Sequence, residues 1–369
     1  MKVRVISALC VFIAVLTGCA GGHNQFTYVV GQGANEVFGF NHGSDGVLKA
    51  MGVPNFSVGS LPSAMAFHPP GDFMYIANFG GNNITLLDIN KSKGELTVPV
   101  STSIVVPLNP PNIFPAGNGP IAMVASPAGP FLYVANQTSG DISAYVIDPG
   151  AGGLGSVQPA LSIAVGAHPT SIAISPKGDF LFTADPVLGK VGVFAIDAKG
   201  VLTAVAPPVT VGGAGATPNF VATEASGRFI YVADPAHNVV LGFAVQGGGT
   251  LTPITGSPFA AGAAPNALAV DPQGALLYAA NTTSNNVSAY VIDKTSGALG
   301  PITGSPFATG GSGPSYLTVD ANTGFLYVSD KVTNDVAVFA IAQNGALAPV
   351  KGSPFNVATA PVWIVSLKR

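Results

Sequence analysis

Only 8% of the 369 residues are charged and the formal net charge is −3, so no basic field exists to hold a phosphate backbone, and nucleic acid is not an expected partner. Hydrophobic residues make up 48% of the chain beside 47 glycines and 31 prolines; this composition excludes disorder and calls for frequent turns between short strands. Cys10 and Cys19 are the two cysteines, too few for a disulfide framework or a thiolate metal site, so stability must come from packing.

The chain opens "MKVRVISALCVFIAVLTGC". Lys2 and Arg4 precede an apolar run over 5–16 that is too short to span a bilayer and has the form of a secretory signal. The run closes on Leu16-Thr17-Gly18-Cys19, which resembles a bacterial lipobox. That resemblance implies a leader over 1–18, lipidation of Cys19, a short tether over 19–25, and a membrane partner through the lipid anchor, since two or three acyl chains anchor stably. Ala20 after Cys19, in place of an aspartate, points to the outer membrane.

From Phe26 a single pattern recurs. "FTYVVGQGANEVFGFN" is followed by "FMYIANFGGNNITLLDIN" from Phe73, "FLYVANQTSGDISAYVID" from Phe131 and "FLFTADPVLGKVGVFAID" from Phe180. "FIYVADPAHNVVLGFAV" from Phe229, "LLYAANTTSNNVSAYVID" from Leu276 and "FLYVSDKVTNDVAVFAI" from Phe325 complete seven copies. Their aromatic anchors Tyr28, Tyr75, Tyr133, Phe182, Tyr231, Tyr278 and Tyr327 are separated by 47, 58, 49, 49, 47 and 49 residues. Each copy reads as two β-branched and aromatic runs joined by a polar turn, which is a hairpin.

A further run precedes six of the hairpins, beginning at Pro62, Pro120, Pro169, Pro218, Pro265 and Pro314, and an outer run follows each hairpin. The outer run carries the repeated phrase "PITGSPFA", found at 253–260 and 301–308 and as "PVKGSPFN" at 349–356. Four short antiparallel strands in about 48 residues make one propeller blade, so the expected fold is an all-β, seven-bladed β-propeller occupying 26–369. The seventh inner strand is supplied by "PVWIVSLKR" from Pro361, whose pairing beside 26–31 would close the ring and remove the edge strands of an open array. The long 58-residue interval lies in the proline-rich stretch 101–120, read either as a loop over the central mouth or as a tolerated surface insertion.

The recurring "LYVAN" and "SPxG" signatures resemble the seven-bladed lactonase family, which includes 6-phosphogluconolactonases, and the YVTN-type surface propellers. The resemblance implies the propeller fold and four ionisable positions. One inner strand of the family opens His-Pro-His; here His168-Pro169-Thr170 keeps the first histidine. The next blade offers Arg-His, where this chain has Pro218-Asn219-Phe220, and the family's glutamate position holds Pro235. A metal-free lactonase needs a proton acceptor and a donor set for the developing oxyanion, and three of the four groups are replaced.

His168 and Thr170 are therefore the expected catalytic candidates. Ser63, Asn219, Asn266 and Ser315 join Thr170 as a neutral polar collar at the inner-strand starts, with Phe220, Tyr316 and Trp363 one place further in, a combination suited to a neutral, sugar-like ligand. Glu224, at the turn after an inner strand, and Asp185, Asp234 and Asp330, at hairpin entries shared with Asn78, Asn136 and Asn281, read as turn caps, without the recurrent charge of a calcium ring. No zinc spacing and no G-x-S-x-G elbow occurs. No cofactor or metal and a monomeric state are expected. The expected function is a cell-envelope ligand- or protein-binding scaffold, whose partner would be a neutral carbohydrate or an envelope protein; the alternative is a sugar-lactone hydrolase built around His168.

Overall fold

The computed structural model describes residues 25–68, 71–90, 92–99, 112–163, 166–320, 323–357 and 359–368. The segment read as leader and tether lies outside these residues up to residue 24, Cys19 included, as does 101–111 of the proline-rich stretch. Among the described residues no helix is long and apolar enough to cross a membrane.

Seven antiparallel sheets form a closed ring. Blade 1 joins the two ends of the chain: Pro361–Lys368 pairs with Gln25–Gly31, which pairs in turn with Glu36–His42 and then Lys49–Ser57. The closing register sets Tyr28 against Val365 and Val30 against Trp363. Blades 2 to 7 begin with inner strands Pro62–Phe67, Pro120–Ala125, Ser171–Ile174, Phe220–Thr223, Pro265–Val270 and Pro314–Asp320, each followed by its hairpin.

In those six blades the outer strand is broken in two. In blade 6, Leu299–Pro301 and Phe307–Ala308 both pair with Asn286–Ile292, and the "TGS" turn loops out between them. The serine of the repeated phrase fills the break. Ser257, Ser305 and Ser353 accept at Oγ from the backbone N–H of Gly242, Ala289 and Val338 at 3.0, 2.9 and 2.8 Å. A side-chain oxygen thus stands in for the ladder acceptor that the interrupted strand withholds, because a buried amide without a partner is costly.

The second strands are buried along their whole length, as in Phe73–Asn78 and Phe229–Asp234. Each blade packs on neighbours at both faces, so these strands are apolar without alternation. The core is divided accordingly into seven clusters, one between each adjacent pair of blades. Hydrogen bonds cross the same interfaces: the hydroxyls of Tyr28, Tyr75, Tyr133, Tyr231 and Tyr278 donate to the carbonyls of Gly94, Gly152, Gly200, Gly297 and Gly345 in the next blade, at 2.6 to 3.1 Å. Phe182 occupies the anchor position of blade 4 and has no hydroxyl to contribute.

Candidate functional site

The residues that follow the prolines at the seven inner-strand starts, Ser63, Ile121, Thr170, Asn219, Asn266, Ser315 and Val362, line one central cavity of about 490 Å³. The five polar members each bond forward to the next blade, in an unbroken run from Thr170 to Ser315 and singly at Ser63. Ser63 Oγ donates to Pro120 O at 2.6 Å, Thr170 Oγ1 to Asn219 O at 2.7 Å, and Ser315 Oγ to Pro361 O at 2.9 Å. Asn219 Nδ2 reaches Asn266 Oδ1 at 2.6 Å, and Asn266 Nδ2 reaches Ser315 O at 3.3 Å. Each of these side chains thus places a donor on the following blade. The collar ties the inner strands together, and the Thr170 proton is held by a backbone carbonyl.

Phe220, Tyr316 and Trp363 also line the cavity. The rings of Tyr316 and Trp363 stack with centroids 4.0 Å apart and planes 22° from parallel, and Phe220 meets Tyr316 edge-on at 5.9 Å. An extended aromatic surface of this kind binds the apolar face of a ring-shaped ligand. Burial pushes the Tyr316 phenol well above its usual range, so it remains a neutral hydroxyl.

His168 is not among the residues lining the cavity. Its N–H donates to Asp185 Oδ2 at 2.7 Å, and its Nδ1 faces the Gln137 carbonyl at 3.1 Å. A carbonyl only accepts, so Nδ1 is the donor of this contact, and the imidazole ties its loop to the hairpin entry of blade 3. Thr170, the other candidate, does line the cavity.

A second ring of residues came to the site unannounced. Gln32, Gln137, Thr282 and Lys331 follow directly on the second strands of blades 1, 3, 6 and 7 and line the cavity. Thr282 Oγ1 donates to Pro314 O at 2.7 Å, and Lys331 Nζ to Gln32 Oε1 at 3.1 Å, bridging blades 7 and 1. Their shared alignment column, the one that places Pro235, could have found them. Among the described lining residues there is no carboxylate and no imidazole, and Lys331 is the one cation.

The acidic residues divide. Glu224 caps its turn, accepting from the N–H groups of Ser226 and Arg228 at 2.7 and 2.9 Å. Asp185 caps its own turn through Val187 and Leu188, at 3.0 and 2.9 Å. Asp234 accepts from Thr217 N–H at 2.9 Å and meets His237 Nδ1 at 2.6 Å. Asp330 departs from the expected capping role, because neither of its carboxyl oxygens has a hydrogen-bond partner.

Fold and cavity together define a closed seven-bladed propeller with an axial pocket. The family model "Lactonase, 7-bladed beta-propeller" matches residues 20–218 and 220–310, and the chain belongs to that family. A 6-phosphogluconolactonase of Bacillus subtilis is 28% identical over 114 residues, a stretch covering 31% of this chain and 31% of that protein. Among solved structures, the periplasmic gluconolactonase PpgL of Pseudomonas aeruginosa superposes with a TM-score of 0.76 at 21% identity, covering 94% of this chain and 99% of that one. A candidate 6-phosphogluconolactonase of Bacteroides uniformis gives 0.79 at 17% identity, covering 93% and 99%. At these identities the superpositions establish the shared fold.

Proposed function

We propose that this lactonase-like propeller is a binding module of the cell envelope that takes a neutral, hydroxylated ring compound into its axial cavity. The observation that carries this reading is the composition of the cavity wall: a stacked Tyr316–Trp363 pair with an amide and hydroxyl rim, and, among the described lining residues, neither a carboxylate nor an imidazole to take a proton from water. Sugar rings present an apolar face to aromatics and hydroxyls to amides, which is the complement of this wall. Export is supported by the sequence around 1–19 and by the kinship in fold with a periplasmic gluconolactonase, and lipid attachment at Cys19 by the sequence alone.

Trp363 is the only tryptophan, so its emission reports occupancy directly. Titration of the purified protein with neutral sugars and their lactones is expected to give saturable quenching. Tyr316→Ala should weaken that binding at least about tenfold by removing the stacking partner, and His168→Ala should leave it unchanged. Absence of saturable quenching by any neutral sugar or lactone would refute the assignment.

A further inference from the structure

In blades 2, 3 and 6 the second strand ends on an asparagine that supplies a donor to the start of the third. Asn136 Nδ2 donates to Asp141 Oδ1 at 2.6 Å and to Ser143 Oγ at 2.9 Å. Asn281 reaches Asn286 and Ser288 in the same way at 2.8 and 2.9 Å, and Asn78 reaches Asn83 and Thr85 at 2.7 and 2.8 Å. Blade 7 keeps the geometry and removes the donors at all three positions. Asp330 stands in the asparagine's place, Asp335 in that of Asp141, and Ala337 in that of the hydroxyl.

Asp330 is 0% exposed and both its carboxyl oxygens lack a hydrogen-bond partner, as does Asp335 Oδ1. A Cβ placed on Gly311 would meet Asp330 Oδ2 and Asp335 Oδ1 each at 2.5 Å, just as one on Gly117 would meet Asn136 Nδ2 and Asp141 Oδ1 at 2.5 and 2.7 Å. Two acceptors therefore face each other where the sister blades pair a donor with an acceptor.

No other charge relieves the pair. Lys331 turns to Gln32, and Asp320, on the first strand of the blade, binds Ser366 at 2.7 Å. The loop 309–313, Pro314 opposite Asp330 and Asn356 opposite Asp335 are neutral. Burial, then the charge of Asp335, pushes the Asp330 carboxyl up to about 8, against a smaller lowering effect of the Thr309 side chain. Side-by-side buried carboxylates cannot both stay ionised, and a proton between them restores the missing donor.

We propose that Asp330 and Asp335 hold one shared proton at neutral pH, and that its loss loosens the hairpin tip 331–334 and with it the rim of the central cavity. The tip is what the pair supports. Lys331 and Val332 line the cavity, and Asn334 Oδ1 accepts from Ala360 N–H at 2.7 Å, one residue ahead of the ring-closing strand. Once the proton leaves, two like charges face each other at the base of this hairpin, and repulsion favours their separation. A consequent weakening of ligand at the rim rests on the binding reading above; the titration itself does not.

The test follows Tm and Trp363 emission of the wild type and Asp330→Asn from about pH 6 to about pH 9. In the wild type Tm should fall by more than about 2 °C between about pH 6 and about pH 8 and level off above, because the folded pair keeps a proton that the unfolded chain has already lost, and the emission should shift as the pair itself titrates. Asp330→Asn carries the amide that already faces an aspartate in blade 3, and should be flat in both. Asp335→Asn, which puts the donor on the other member, is the second variant and should also be flat. Identical profiles in wild type and variants would overturn the proposal. So would a Tm increase on adding Ca²⁺, Mg²⁺ or K⁺ to the wild type alone, which would give the pair to a metal ion. If Tyr316→Ala leaves ligand quenching intact, the binding reading fails and the two pH profiles stand unaffected.

Discussion

The hydroxyl of Tyr327 meets Nε2 of His42 at 3.1 Å, across the seam where blade 7 joins blade 1. Five other blades make this contact with a glycine carbonyl, so the seam that closes the ring is the interface whose latch can titrate. His42 is buried, and that burial holds its pKa below the usual value, against smaller raising effects from the Gly43 carbonyl, Asp320 and Asp45.

The sign of the resulting pH effect is fixed. A histidine kept neutral in the native state binds fewer protons than in the unfolded chain, so its contribution is present above about pH 6.5 and is lost as the pH falls through the lowered native value. His42→Gln, which keeps an acceptor for Tyr327 without the titration, should lose less Tm than the wild type between about pH 6.5 and about pH 4.5. Thermal melts across that range check it.

The other latches act on the scale of a single hydrogen bond. Tyr231→Phe removes the donor to Gly297, bonded at 2.7 Å, and should cost about 1 to 2 kcal/mol in denaturant unfolding because a buried carbonyl is orphaned. Blade 4 is the natural counterpart, with Phe182 in the anchor position. Phe182→Tyr should therefore stabilise by about 0.5 to 1.5 kcal/mol.

Gly297 is constrained from two sides. Its φ is +75°, and a Cβ there would lie 2.6 Å from the Phe229 ring and 2.8 Å from Ile254 Cδ1. Gly297→Ala should destabilise by roughly 2 kcal/mol or more, combining backbone strain with overpacking. The same glycine-on-ring contact recurs at Gly94 on Phe26, Gly152 on Phe73 and Gly200 on Phe131, so these variants should show comparable losses.

Ser305→Ala withdraws the acceptor from Ala289 N–H in the broken outer strand. The expected loss is about 1 to 2 kcal/mol, read as a lower midpoint in urea. Retained stability would mean that the serine of the repeated phrase serves the turn alone.

The ring was legible because repetition made an absence visible: six inner strands for seven hairpins, with Pro361–Lys368 as the spare, and the observed pairing of Val30 with Trp363 follows from that count. The collar and aromatic positions were legible for the same reason, since one column of the repeat faces one axis. The break in the outer strands was not, because the turn residues of "ITGSPF" read as the end of the blade and the amide caught by Ser305 belongs to another strand. Lys331, Gln32 and Gln137 stayed hidden because a residue at a hairpin entry reads as turn chemistry until the axis is known. The place of His168 beside an inner strand is fixed by sequence, while its ring contact, with the carbonyl of Gln137 31 residues distant, and its absence from the cavity lining are fixed by the fold.

The central claim is that the cavity binds without hydrolysing, and base uptake at constant pH measures this directly, with δ-gluconolactone as substrate in the presence and absence of the purified protein. The account predicts ring opening at the spontaneous rate while Trp363 emission still reports saturable binding. Saturable acceleration that disappears in His168→Ala or Thr170→Ala would contradict it, and would return the protein to the hydrolases of its family.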